Sequence, residues 1–397
     1  MKSKQKKYIP LSTAFIVVVL GLVVGFIGGT RKNEILSLIG PVVGYSVEEN
    51  SIDLSSVENT YSVLKDNFDG DLNKEKLIEG ASKGLVEAAG DKYTTYMDSD
   101  EAEAFNKELS GDVGAGIGAE IGLRNDVPTV IRPLKDNPAI KAGILAGDIV
   151  VEVNGESTSG WTVEQVTSKI KGDAGTTVKI KVLRGEEYKE FSVVREKINN
   201  PSVELEINDG IAILKISRFD NETGTLAKEY ANQIKDKNIS KVILDLRGNG
   251  GGYVSAAKDV ASLWLDKNAT IVTEKSSGKV VDEIKATGNN TLSGIKTIVL
   301  ANEYSASASE IVIGALKDNN VATIMGVKSY GKGSVQQPID INGGSLLKVT
   351  VARWYTPSGA NITDEGIKPD VEVNITTEDI NKGDDPQMAS AKKELNK

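Results

Sequence analysis

The chain has 397 residues and a formal net charge of −9, from 47 Lys and Arg against 56 Asp and Glu, which argues against nucleic acid as a partner because phosphate binding draws on an excess of basic residues. It contains no Cys and no His, which excludes cysteine nucleophiles, disulfides, thiolate metal sites, Ser-His-Asp triads and His-based metal or acid–base chemistry. Any nucleophilic catalysis must move its proton with Lys, a carboxylate, Tyr or an amine.

In chain order, Lys2, Lys4, Lys6 and Lys7 precede a mostly apolar run from Ile9 to Gly29, unbroken from Ala14 to Ile27. About 20 helical residues cross a bilayer core of roughly 30 Å. Four Lys ahead of the run, against Arg31 and Lys32 behind it, favour a cytoplasmic N-terminus. The expectation is an uncleaved anchor over residues 1–30, giving a single-pass cell-membrane protein whose remaining chain lies on the extracytoplasmic side. A cleaved signal peptide shares these marks, but no clear A-x-A site follows and the run is long for one.

Residues 31–109 are read as a linker followed by a small helical region. Val57, Tyr61, Leu64 and Phe68 recur at helical spacing, as do Leu77, Ala81, Leu85 and Ala88. A packing or homodimerisation element accounts for this pattern better than a ligand site.

Residues 110–197 change to short β-like runs with Gly-rich turns. Ala115-Gly116-Ile117-Gly118-Ala119 leads into one strand, Val127 to Ile131 forms another, and the block from Ala139 to Gly155 includes Ala142-Gly143-Ile144-Leu145-Ala146-Gly147-Asp148. An amphipathic stretch from Val163 to Ile170 and an alternating strand from Val178 to Val182 follow. This order resembles a PDZ domain. The resemblance implies a groove that takes a free peptide C-terminus, its carboxylate on the N–H groups of Gly116, Ile117, Gly118 and Ala119, with Val166 and Ile170 on the far wall. Taken alone, Gly-Ile-Gly-Ala is equally a simple turn.

Residues 198–375 alternate strands and helices, and residues 376–397 form a polar tail ending in a short helix. Strands are predicted at Lys241 to Leu246, Ala269 to Thr273, Thr297 to Ala301 and Val321 to Met325, with helices at Val254 to Leu265 and Ser307 to Lys317. That is the texture of an α/β core.

Two segments carry chemistry. Ser305-Ala306-Ser307-Ala308-Ser309-Glu310 opens a helix directly after a strand. A serine in such a turn is exposed beside helix N–H groups that can hold an oxyanion, although Ser307 with Glu310 also fits a capping box. The second is Tyr330-Gly331-Lys332-Gly333-Ser334-Val335-Gln336, where two glycines allow the lysine to approach neighbouring backbone closely. It does not match the phosphate-loop pattern, because Gly333 follows Lys332.

Together these motifs resemble the carboxyl-terminal processing peptidases, a PDZ-containing serine protease family with a Ser-Lys dyad. The likeness runs from about Val57 to Asn374 and includes Asp91-Lys92-Tyr93-Thr94-Thr95-Tyr96-Met97, Asp245-Leu246-Arg247-Gly248-Asn249-Gly250-Gly251-Gly252, Tyr355-Thr356-Pro357-Ser358-Gly359 and Gly366-Ile367-Lys368-Pro369-Asp370. Gly250 stands where Pro or Ser is common in the family, and Lys171 where many relatives have Arg. The resemblance implies an α/β catalytic core of the crotonase or Clp-protease kind, with an inserted PDZ domain, an N-terminal helical region and a transmembrane helix. It implies Ser307 as nucleophile, Lys332 as general base and Gln336 as the lysine's support, one helical turn on. The oxyanion hole would use the N–H of Ala308 and of Gly251 or Gly252. No cofactor or metal is implied, and the partners are protein substrates with free, apolar C-terminal tails. A lysine base needs a lowered pKa, which burial supplies. The rival readings are a catalytically silent PDZ adaptor that holds C-terminal tails at the cell surface and an acyl-CoA enzyme of the crotonase type.

Overall fold

The computed structural model describes residues 52–124 and 127–397. The apolar run expected to span a membrane lies outside the described residues, and among the described residues no helix is long and apolar enough to cross one. The chain divides into two units after Ala81. In the first, the Val57–Phe68 periodicity forms helix α1 (Ser55–Asn67), and the second periodicity forms α2 (Lys74–Glu87), which runs across the division.

The second unit begins with a short strand, β1 (Thr95–Met97), and helix α3 (Ser99–Ser110). Asp98 caps α3 by accepting from Glu101 N, Glu101 returns a carboxylate to Asp98 N–H, and left-handed Gly111 ends the helix. The PDZ segment starts at β2 (Ala115–Gly116) and continues through β3 (Ala119–Arg124), β4 (Val127–Pro133), β5 (Ile149–Val153) and β6 (Glu156–Ser157). Helix α4 (Val163–Ile170), β7 (Thr177–Arg184), β8 (Glu187–Val194) and β9 (Glu196–Lys197) complete it. Strand order is β3-β4-β5-β7-β8 with β6 on β5. Alternation puts Val178, Ile180 and Val182 of β7 into a core with Val150, Val153, Val166 and Val193. β2 pairs with β9, and Asn137 bonds the N–H and carbonyl of Asn199, so the two ends of the segment are stapled together, as an insertion requires.

Residues 203–372 hold a six-stranded sheet of order β10-β11-β12-β15-β16-β19. Its members are β10 (Val203–Asn208), β11 (Ile211–Ile216), β12 (Lys241–Asp245), β15 (Lys296–Ala301), β16 (Thr323–Gly326) and β19 (Val371–Glu372). Only β10 is antiparallel to its neighbour. Helices α5 (Thr223–Asp236), α6 (Val254–Ala261) and α7 (Ala308–Asp318) cover one face, packing on Ala212, Leu214, Val242, Leu244, Val299 and Ala301. The alternate residues Ile211, Ile213, Ile243, Ile298 and Leu300 face the other way, against Ala391 and Leu395 of α8 (Pro386–Leu395). The segment read as a polar tail therefore supplies the helix that shields this second face. Burial on both faces explains why the central strands are almost continuously apolar.

A second sheet, not foreseen from sequence, joins β1, β18 (Leu346–Tyr355), β13 (Thr270–Ser276) and β14 (Lys279–Lys285), with β17 (Ser334–Asp340) also on β18. It brings Thr95 and Pro338 opposite Lys348, and so joins the segment before α3 to the segment after Lys332.

Candidate active site

Ser307 sits at the turn from β15 into α7 with φ +54° and ψ −114°, a conformation that side chains rarely tolerate. Such strain persists only where surrounding contacts over-determine it, and it marks functional turns. The contacts are visible in its neighbours. Ser305 Oγ donates to Leu246 O at 2.9 Å and Ser309 Oγ donates to Asn249 O at 2.8 Å, both hydroxyls fully buried. Ser307 alone of the three is partly exposed. Ser305 and Ser309 are the pins between the serine turn and the 245–252 loop.

Glu310 is fully buried and accepts four hydrogen bonds. Its Oε2 takes Ser307 N–H at 2.9 Å and Lys332 N–H at 2.9 Å, and its Oε1 takes Gly331 N–H at 2.7 Å and Ser329 Oγ–H at 2.6 Å. One carboxylate thus joins the serine turn to the lysine loop. In sequence Glu310 looked only like half of a capping box; it does cap the turn, and only the chain's return from residue 329 reveals its second role.

The Gly-Lys-Gly loop is pressed against the segment 361–366. A Cβ on Gly333 would lie 2.3 Å from Thr363 Oγ1, and one on Gly331 2.9 Å from Gly366 N, so the close backbone approach inferred from the glycines is formed. Asp364 N–H donates to Gly331 O and Trp354 N–H to Gly333 O, each at 2.8 Å. Lys332 is half-buried, with its ammonium 5.7 Å from the centroid of the Tyr93 ring. Burial first, and the charge of Lys348 second, push its pKa below the ordinary lysine range, with Glu310 opposing. The Ser307 hydroxyl and the Lys332 amine are not hydrogen-bonded to each other. Gln336 lies on strand β17 rather than one helical turn from Lys332, and its amide donates to Ser334 Oγ at 2.6 Å and Thr350 Oγ1 at 3.4 Å. In this arrangement it does not bond the lysine.

The glycine turn closes the other side. Gly251 (φ +107°) is so close to the serine turn that a Cβ there would lie 2.8 Å from Ser307 Cβ. Its N–H is given to Asn249 Oδ1 at 2.9 Å, while no acceptor among the described residues takes the N–H of Gly252 or of Ala308. Asn249 is itself fully buried, donating to Ile216 O and accepting from Ala306 N–H and Ser309 Oγ–H. Arg247 grips Asp245 and reaches Asp385, at 2.7 and 2.9 Å, tying this loop to the residue that caps α8. Burial would raise the Asp385 carboxyl, but Arg247 and the Met388 N–H outweigh it and hold it below the carboxylate range. A cavity of about 770 Å³ runs past Gly250, Gly251, Gly252 and Lys332, with Met97, Phe105, Leu109 and Phe219 as apolar lining.

The PDZ segment carries a separate groove of about 280 Å³ lined by Gly116, Ile117, Gly118, Ala119 and Ile170. Ile117 and Gly118 stand between β2 and β3, outside both ladders. Gly118 (φ +68°) is irreplaceable, since a Cβ would fall 2.3 Å from Asn137 Cβ. Val166 is not on the groove wall: it is fully buried in the domain core, because the helical repeat turns it inward. Thr167 and Lys171 line the wall with Ile170 instead.

Comparison with known proteins agrees with this architecture. Residues 210–373 match peptidase family S41, residues 115–194 a PDZ domain, and residues 42–101 the N-terminal domain of the activating protease CtpB. A protein of Staphylococcus haemolyticus described as a probable CtpA-like serine protease is 36% identical over 376 residues, covering 94% of this chain and 75% of that one. A protein of the same description from Staphylococcus aureus strain MRSA252 is 38% identical over 324 residues, which cover 81% of this chain and 65% of the relative's length. Among solved structures, the photosystem II D1 C-terminal processing protease aligns with TM-score 0.52 and 26% identity over 81% of this chain and 87% of that one. An S41 protease of Bacteroides fragilis shares the fold, with TM-score 0.56 at 16% identity over 83% of this chain and 92% of that one. From the agreement of core, inserted segment and relatives, the chain belongs to peptidase family S41, among the CtpA-like serine proteases of the C-terminal processing type that carry a PDZ domain.

Proposed function

We propose that the protein is a membrane-anchored serine endopeptidase that cleaves extracytoplasmic proteins at or near their C-terminal tails, with Ser307 as nucleophile and Lys332 as general base. The observation that carries the dyad is the shared acceptor: Ser307 N–H and Lys332 N–H both end on Glu310 Oε2. In this reading the lysine side chain leaves Tyr93 to meet the serine hydroxyl. The neutral amine takes the Ser307 proton as Oγ attacks the scissile carbonyl, and the resulting oxyanion is met by the Ala308 N–H and a glycine N–H of the 250–252 turn. Gly252 can offer its N–H directly, whereas Gly251 must first release Asn249. Collapse expels the amine product, which leaves with the proton from the Lys332 ammonium. Water, deprotonated by the same lysine, hydrolyses the acyl-enzyme.

The groove between Gly118 and Ile170 would take the substrate's C-terminal carboxylate and apolar last residue. The basic start and apolar run of residues 1–30 support anchoring. Reaction of the full chain with a fluorophosphonate probe tests the catalytic part. Label at Ser307, lost in Ser307→Ala and in Lys332→Ala, is the expected result. Unlabelled wild-type protein would leave the silent adaptor as the better reading.

A further inference from the structure

A second lysine shares the cavity that Lys332 lines. Lys348 lines the same space of about 770 Å³ as Lys332 and the 250–252 glycines. It is half-buried and fixed by strands on both sides, opposite Thr95 of β1 and Pro338 of β17. Its ammonium lies 5.6 Å from the centroid of the Phe105 ring, on the capped helix α3. Among the described residues no carboxylate forms an ion pair with either lysine, although Glu101 and Glu108 line the same cavity. Glu101 is paired with Lys83 at 2.9 Å, Glu310 is saturated by four donors, and Glu108 is exposed on α3. Arg218, the other cation of the cavity, is paired with Asp220 at 2.9 Å. Tyr93 presents its ring face to Lys332 and favours the ammonium.

Two unpaired cations in one half-buried cleft repel, and packing alone gives no reason for them. We propose that Lys348 tunes the dyad: its fixed positive charge drives the proton from Lys332 into solvent, leaving a neutral amine to take the proton of Ser307. This rests on the peptidase reading and deepens it. A like charge is a recognised way to activate a lysine, acting beside burial. It also offsets the two groups that hold the proton on, Glu310 and the Tyr93 ring. Lys348 acts through Lys332 and is a positioning and tuning residue, not a reacting one.

The test is the rate of fluorophosphonate labelling of the detergent-solubilised full chain between pH 6 and pH 10. Lys348→Met should label at least about threefold more slowly at pH 7 and converge on the wild type as pH rises toward 10, where a growing share of Lys332 is neutral in both proteins. Lys348→Gln should do the same, which guards against misfolding of one variant, and Lys348→Arg should restore the wild-type acid limb. An unchanged acid limb in Lys348→Met would overturn the inference. So would a loss of equal factor at every pH, or an arginine variant that behaves like methionine, since either makes the role one of shape. Failure of the peptidase reading is separable: wild-type protein would then not label at Ser307, or Lys332→Ala would label at the wild-type rate, and the tuning role would fall with it.

Discussion

Replacing Glu310 by Gln keeps the volume of the side chain and removes its charge. The carboxylate accepts four hydrogen bonds, from Ser307 N, Ser329 Oγ, Gly331 N and Lys332 N, in a site with no exposure. The amide oxygen can keep one pair, but the amide nitrogen is a donor: turned toward Ser307 and Lys332 it meets two N–H groups, and turned toward Gly331 and Ser329 it meets one, since the Ser329 hydroxyl can rotate and accept. Hydrogen bonds to a charged group contribute about 1.5–3 kcal/mol each, so losing one or two costs roughly 1.5–6 kcal/mol, relaxed in part by movement of the lysine loop. That is a large share of the ~5–15 kcal/mol that holds a domain folded. If about 2.7 kcal/mol of the loss reaches the transition state as misplacement of the dyad, labelling of Ser307 slows about 100-fold. The loss would come despite an easier deprotonation of Lys332, since Glu310 favours the ammonium. Urea denaturation and fluorophosphonate labelling of Glu310→Gln, with Ser307→Ala as a stability control, measure both quantities. A variant within ~0.5 kcal/mol of wild type that labels within about threefold of its rate would refute the idea that this carboxylate holds the two loops in register.

Ser309→Ala removes a buried bond to Asn249 O and should cost about 1–2 kcal/mol in urea denaturation, more than an exposed serine would. In the PDZ segment, burial would raise the Asp148 carboxyl, but Arg184 and the Leu145 N–H outweigh it and hold it low. Its stabilisation is therefore complete above the unfolded value of about 3.9 and disappears as pH falls through the lower folded value. Asp148→Asn should lose about 3 kcal/mol at pH 7 and flatten the acid limb of a denaturation-versus-pH curve. Amidating the C-terminus of an unstructured substrate should slow its cleavage below saturation, as should ending it in Asp. Equal rates for free, amidated and Asp-terminated tails would remove the PDZ groove from substrate selection.

Local pattern was enough for several elements. The helix Val163–Ile170 forms with the predicted ends, and β12 and β15 begin and end within one residue of prediction, because burial on one or both faces writes a period into the chain. The second sheet was not legible. β1 is only three residues long, and besides its hairpin with β17, β18 pairs with β1 and β13, both distant in sequence, a matter of long-range register that no window of residues contains. Gln336 shows the same limit: spacing from Lys332 suggested a helical turn, and pairing with β18 made it a strand. Val166 and Ile170 are both apolar and four apart, yet only Ile170 reaches the groove, since the orientation of α4 on its sheet decides which of them meets the cleft.

Chemistry followed the same division. The absence of His and Cys and the two motifs around Ser307 and Lys332 are properties of residue type and short spacing, and they determine which proton acceptor a serine could use. The glycines beside Lys332 likewise announce close backbone contact before the partner is known, because removing Cβ matters only where something sits against it. What the partner is, and what the contact does, depends on where distant segments return. Glu310 becomes a bridge only when the chain brings residues 329–332 back to it, and Lys348 becomes a neighbour of Lys332 only through the β17–β18 pairing. Helix α8 is a shield, not a tail, because the sheet presents Ile243, Ile298 and Leu300 to its sparse apolar stripe of Met388, Ala391 and Leu395. Residue identity sets the reactions a side chain can perform; tertiary structure alone sets its neighbours, and with them its proton affinity and aim.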